Sequence, residues 1–246
     1  YDNDPTTKSF NAVIYGGLGT GKTSLLRTAR KPVLIHSFDP GGTKVLRDEI
    51  EAGEILVDSR FEREDPRLPK AFQLFDDEYH RLRGGGFFDH IGTYVIDSVT
   101  TWAQCAMNVV LKKAGRVGGT PQKNDWMPQM GLIENAMRDF VALPCDCILL
   151  GHDDVTKDES SGKMYSGLMI TGKLSRRVPL LFDEVYCAMT KETSKGIEYQ
   201  LLTRATGTYQ ARSRLGKGGE LDTYEKPDIK AILKKVGFST EDKPLF

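Results

Sequence analysis

Short apolar runs recur along the chain, and each closes on a cluster of Gly, Asp or Ser. Phe10-Asn11-Ala12-Val13-Ile14-Tyr15 stops at Gly16-Gly17, and Pro32-Val33-Leu34-Ile35-His36-Ser37 stops at Phe38-Asp39-Pro40-Gly41-Gly42-Thr43. Residues 55–57 form a shorter run, 93–98 ends on Asp97-Ser98, and 145–151 ends in His152-Asp153-Asp154. Runs this short, bounded by turn residues, predict buried strands. Between them the period changes. Residues 22–29 hold no Gly or Pro and read as a helix, and 66–83 carries Leu68, Phe72, Phe75, Tyr79 and Leu82 at helical spacing before Gly84-Gly85-Gly86 stops it. Val99, Trp102, Ala103, Ala106 and Val110 mark the inner face of a third helix, so Trp102 is expected in the core. Met130, Ile133, Met137 and Phe140 mark a fourth over 128–143.

After His152 the texture turns to polar alternation. Residues 153–169 predict a hairpin turning at Ser160-Ser161-Gly162, followed by a short helix over 173–182. Strands over 184–191 and 198–204, joined through Lys195-Gly196, come next, with a further extended piece over 209–215. Pro227 opens a closing amphipathic helix through Ile229, Ile232, Leu233 and Val236, ended by Gly237. No repeat or low-complexity linker interrupts this. The expectation is therefore one domain over 1–246, with a core at 10–152 and a β-rich extension at 153–246 after a loose lead-in.

Composition narrows the class. Lys plus Arg and Asp plus Glu number 34 each, so no global charge draws the chain to nucleic acid, and any such contact needs a local patch. Four cysteines without zinc-ligand spacing read as reduced core thiols, with Cys145 and Cys147 expected on opposite strand faces. No apolar run approaches a membrane span and no signal peptide is visible, so a cytoplasmic protein with no membrane partner is expected. The first residue is Tyr1, and the chain is read as trimmed.

The strongest chemical signal is Gly16-Gly17-Leu18-Gly19-Thr20-Gly21-Lys22-Thr23, which fits G-x-x-x-x-G-K-[ST] between a strand and a helix. Gly17, Leu18, Gly19, Thr20, Gly21, Lys22, Thr23 and Ser24 are the expected phosphate cradle. Backbone N–H groups there turn toward phosphate oxygens, and the helix N-terminus adds partial positive charge. Lys22 is expected to reach the β- and γ-phosphates of ATP, and Thr23 to ligate Mg²⁺. Asp97, ending an apolar strand, is the second metal-side acid; the competing role is a cap for the helix at Ser98. Asp39, at another strand end, is the candidate to activate water, although an acid before Gly-Gly also suits a plain turn. His152 is the candidate γ-phosphate sensor acting on hairpin 153–169, or a simple strand cap. Basic residues gather as Lys112, Lys113, Arg116 and Lys123, as Lys173, Arg176 and Arg177, and as Arg204, Arg212, Arg214 and Lys217. Each group is a solvated face, a source of trans-acting charge for a neighbouring subunit, or a DNA contact.

Gly16–Thr23, the Val95-Ile96-Asp97-Ser98 strand end and a polar residue closing the next strand resemble the RecA-like ATPase core. There the last residue is usually Gln, and His152 departs from that pattern. Asp39-Pro40-Gly41-Gly42-Thr43, Leu150-Gly151-His152, Gly172-Lys173-Leu174, Phe182-Asp183-Glu184-Val185, Arg204-Ala205-Thr206-Gly207 and Arg212-Ser213-Arg214 extend the likeness. Together they resemble phage-encoded AAA-domain nucleotide-binding proteins, which include the short single-strand annealing recombinases. The resemblance implies an α/β RecA-like P-loop fold with a mostly parallel sheet, the loop strand and the Asp97 strand being separated by another strand. It also implies ATP and Mg²⁺, homo-oligomers, and single-stranded DNA as partner, with a single-stranded-DNA-binding protein beside it. Two rivals stand against a DNA recombination or annealing ATPase. One is an ATPase remodelling a protein partner, which the balanced charge favours; the other is a small-molecule kinase, which the long β-rich second half fits poorly.

Overall fold

The computed structural model describes residues 8–157, 159, 162–216 and 218–245. Residues 1–7 of the lead-in expected over 1–9, the Ser160-Ser161 tip of the hairpin and Lys217 lie outside the described residues. Five parallel strands form the centre: β1 (Asn11–Tyr15), β2 (Val33–Ser37), β3 (Ile55–Asp58), β4 (Thr93–Asp97) and β5 (Asp146–Gly151). Helices α1 (Arg47–Glu51), α2 (Ala71–Gly84), α3 (Val99–Lys113) and α4 (Trp126–Val141) lie between them in the chain. The second half adds the hairpin β6 (Asp153–Lys157) and β7 (Met164–Leu168), then α5 (Leu174–Leu181), β8 (Glu184–Thr193) and β9 (Gly196–Leu202). Short strands β10 (Arg212–Ser213) and β11 (Tyr224–Glu225) and helix α6 (Ile229–Lys235) complete it.

The main sheet runs β11-β9-β8-β1-β5-β4-β2-β3, with β10 alongside β8, while β6 and β7 pair separately. β8 joins β1 in parallel, and β9 and β11 continue antiparallel, so the β-rich half extends the same sheet. β5 lies between β1 and β4, which is the separation implied by the resemblance to a RecA-like core.

Strand alternation divides the core into two faces. Val13, Tyr15, Tyr94, Ile96, Cys147 and Leu149 pack with Phe72, Phe75, Trp102 and Phe140 from α2, α3 and α4. Ala12, Ile14, Val95, Ile148 and Leu150 face the other way, onto Leu25, Leu26, Ile229, Ile232 and Leu233. Trp102 is fully buried, as its helical register predicts.

Three local expectations are corrected. Residues 22–29 form no α-helix: a 3-10 segment, Ser24–Thr28, follows the glycine loop. Only nine residues separate Thr23 from Val33, and the longer rise of a 3-10 segment, about 2.0 Å per residue, helps them return along β1. Helix α2 starts at Ala71, which leaves Leu68 outside it and 57% exposed. Cys145 and Cys147 pack into the same cluster, because residues two apart in extended chain share a face. All four cysteines are buried and free.

Candidate functional site

The parallel strands point their C-terminal ends to one edge, where ligands of open α/β sheets collect. The glycine loop leaves β1 there and lines a cleft of about 740 Å³ together with Asp39, Asp97, Ser98 and His152. Gly21 needs to be glycine twice over: its φ is +81°, and a Cβ would stand 3.1 Å from Cδ1 of Tyr199. Thr20 Oγ1 closes the loop by donating to Gly17 O at 2.9 Å. Lys22 Nζ lies over the loop and donates to Gly16 O and Gly17 O, both at 2.7 Å. Burial pulls the Lys22 pKa below its ordinary value, against the opposing pull of Asp97, Asp153 and Asp39.

Thr23 Oγ1 donates to Asp97 Oδ2 at 2.9 Å, which brings the last residue of the loop motif against the acid at the end of β4. Asp97 is 5% exposed, and burial raises its pKa to about 6 even though the Thr23 hydrogen bond works the other way. A hydroxyl and a desolvated carboxylate on one wall form an oxygen donor set that suits a hard cation such as Mg²⁺. The residues therefore fit the group. Ser98 also caps α3, its side chain accepting from Thr101 N, so the metal-side and capping expectations fall on adjacent residues.

Asp39 and His152, from the ends of β2 and β5, meet at 3.0 Å between Oδ2 and Nε2. Thr101 Oγ1 donates to the other carboxylate oxygen. Burial acts to raise the Asp39 pKa, but the hydrogen bonds from His152, Thr101 and Ser98 outweigh it and hold the group below its ordinary value. The same contact lifts His152 above its ordinary value, against its partial burial. Asp39 is thus a clamped carboxylate at neutral pH. Glu62 supports its turn, accepting from Ser37 Oγ at 2.8 Å and Gly41 N at 3.0 Å.

His152 is also tied to the hairpin. Its carbonyl accepts from Met169 N at 2.8 Å, and its N–H donates to Thr100 Oγ1 at 3.1 Å. Thr100 in turn donates to Met169 O at 2.8 Å, and Tyr15 OH at the end of β1 donates to Ser166 O at 3.1 Å and Gln210 O at 2.6 Å. Asp153, the first residue of β6, leans over Gly17.

The basic residues are placed less uniformly. Lys113 and Lys123 are exposed, Lys112 Nζ lies 3.5 Å from Pro69 O, and Arg116 is ion-paired with Asp125. Arg212 donates to Pro179 O and Phe182 O at 2.7 and 2.6 Å, which holds the end of α5, and Arg204 donates to Leu221 O at 3.0 Å. Arg177 pairs with Glu134. Lys173 and Arg176 are exposed and line a cavity of about 510 Å³ with Tyr165 and Gln210 beside the hairpin. Thr100, Thr101, Glu62 and Tyr199 are absent from the sequence expectations, and Pro227 enters them only as the opening of the last helix. The Ser98-Val99-Thr100-Thr101 hydroxyl run was a readable hint, whereas Tyr199 and Pro227 carry no motif.

Among the described residues no helix is long and apolar enough to cross a membrane. A search of curated proteins finds no match. Among solved structures, the KaiC-like protein PH0186 from the hyperthermophilic archaeon Pyrococcus horikoshii OT3 is similar at 15% identity and a TM-score of 0.43, over 83% of this chain and 81% of that one. A family model described as an AAA domain runs over residues 8–215, from the start of the described chain past β10, and the protein belongs to that family as a P-loop ATPase.

Proposed function

We propose that this ATPase is a Mg²⁺-dependent factor of phage DNA recombination that binds single-stranded DNA and promotes annealing or strand pairing. The observation that carries the reading is the double attachment of His152. Its ring meets Asp39 at 3.0 Å, and its backbone holds Met169 at the foot of the hairpin. Asp39, kept ionised, orients and deprotonates the attacking water, while Lys22 and the loop N–H groups hold the phosphates. Thr23 and Asp97 would hold Mg²⁺, which when bound would supply positive charge to offset that of the phosphates. Loss of the γ-phosphate changes what Asp39 and His152 face, and the hairpin moves with His152. Tyr165, Lys173 and Arg176 then offer a ring and two cations to a strand, the combination that single-stranded nucleic acid favours. Homo-oligomers and a single-stranded-DNA-binding protein are the partners this role calls for.

ATP hydrolysis with and without single-stranded DNA, at low and moderate salt, tests the proposal. The expected result is stimulation that weakens as salt rises. Hydrolysis indifferent to DNA would favour the second reading, a protein-directed ATPase. A specific feature supports that rival: Leu68, Val117, Trp126 and Met127 are exposed, and Gly118 lies against Arg67, so the 67–69 and 116–127 segments adjoin.

A further inference from the structure

The cleft continues beyond the phosphate loop, away from Asp39 and Asp97. That far end is built by the second half of the chain. Tyr199 of β9 lays its ring against Gly21, and Pro227 lines the same cleft. Both residues also border an adjoining hollow of about 460 Å³. Each is anchored to the loop region. The Tyr199 ring rests on the loop glycine, and Ile229 N, two residues after Pro227, donates to Thr28 Oγ1 at 2.9 Å. Tyr199 is 47% exposed, so a flat face is available in the cleft.

A triphosphate on Gly19–Thr23 has its reacting end toward Thr23, Asp97, Asp39 and His152. Its base therefore extends the other way. We propose that Tyr199 and Pro227 form the nucleobase slot of this ATPase, taking the purine ring of the bound nucleoside triphosphate by stacking on the Tyr199 face. The inference rests on the ATPase assignment and adds the place and manner of base recognition. Arg27, which lines the same cleft, is already committed: Nη2 donates to Val45 O, and Nε pairs with Glu49 at 2.9 Å. The exposed Tyr199 ring gives the slot a face for the base to stack on, and Gln200 and Lys226 border the adjoining hollow. Purines are preferred over pyrimidines because they offer more stacking area.

Calorimetric binding of ATP, CTP and inorganic tripolyphosphate to the full chain tests this. Tripolyphosphate has no base, so it reports the phosphate loop alone. The wild type is expected to bind ATP more tightly than CTP or tripolyphosphate. Tyr199→Ala is expected to lose about tenfold in ATP affinity, as for other base–aromatic stacks, with tripolyphosphate binding unchanged. Tyr199→Phe retains the ring and is expected to bind ATP as the wild type does. Lys22→Ala, in contrast, weakens both ligands. Wild-type ATP affinity in Tyr199→Ala overturns the slot, as does equal loss of ATP and tripolyphosphate, which would assign Tyr199 to shaping Gly21. Loss in Tyr199→Phe would replace stacking by a hydroxyl contact and also overturn it. Failure of the ATPase assignment would appear separately, as a wild type that binds ATP without hydrolysing it.

Discussion

The parallel and antiparallel halves of the sheet contribute to the cleft in different ways. β1, β2, β4 and β5 run the same way, so the residues that follow them, from the glycine loop to His152, arrive at one edge whatever their neighbours are. On the other side, β8, β9 and β11 form an antiparallel run, and its contribution comes from a strand face, at Tyr199, and from the approach to α6, at Pro227. Topology assigns the chemical groups in the first half. In the second, individual side-chain placement decides which residue reaches the cleft.

The largest effect expected from this contrast is at Lys22. Lys22→Ala should lower kcat by about a hundredfold or more, as removal of a preorganised charge does at other centres, and steady-state hydrolysis reads it. Full activity would break the assignment of the loop. Asp39→Asn keeps the size of the side chain and can still meet Thr101 and His152, but cannot take a proton. Its kcat should fall by about 10²–10⁴ if Asp39 is the base, while ATP binding persists. A fall of only a few-fold would leave Asp39 a positioning group.

The opposite edge of the sheet gives a purely structural counterpart. Asp146, fully buried at the start of β5, accepts from Phe10 N at 2.7 Å and from Arg30 Nε at 2.7 Å. Burial raises its pKa and the Arg30 contacts oppose the rise. Arg30→Ala strands that carboxylate and should cost about 3–5 kcal/mol in urea unfolding, without the selective kcat loss of Asp39→Asn. His36 supplies a pH effect in the same half. Burial lowers its pKa to about 4, and Nδ1 lies 2.9 Å from Tyr94 OH. Below its ordinary pKa of about 6.5 the unfolded chain takes up a proton that the folded chain does not. Stability should therefore fall by roughly 3 kcal/mol as pH drops from 6.5 to 4. In His36→Asn, which lacks a titrating ring, that part of the slope should vanish.

The same contrast explains what could be read in the chain beforehand. The glycine loop, Asp97 and the buried strands were legible because fixed spacing and an apolar run together constrain both structure and chemistry. Asp39 and His152 were legible as strand-end polar residues, but not as partners: they lie 113 positions apart in sequence. The 22–29 helix was over-read because the absence of Gly and Pro permits a helix without requiring one. Leu68 was over-read because one apolar residue in phase extends a periodic pattern past its true start. Tyr199 was invisible for a different reason. An aromatic residue on an exposed strand looks the same in sequence whether it faces solvent, a cross-strand neighbour or a nucleotide. Arg212 looked like available charge, and only tertiary structure gives it the carbonyls of Pro179 and Phe182.

The smallest expected effect would decide, under the proposed function, which half contacts DNA. Lys173 and Arg176 border the cavity beside the hairpin that His152 holds, whereas Lys112, Lys113 and Lys123 belong to the region of exposed Leu68, Val117 and Trp126. Under the hairpin-coupled reading, the double variant Lys173→Ala/Arg176→Ala should flatten the log–log dependence of single-stranded DNA affinity on salt. The slope should fall by about 0.7 for each phosphate that the protein no longer neutralises. The triple alanine variant at 112, 113 and 123 should leave the slope as it is. A reversed result would put the strand on the α3–α4 face, far in the chain from His152. Nucleotide state would then have to reach DNA by a route that bypasses the hairpin, and the Asp39–His152 contact would be left with catalysis alone.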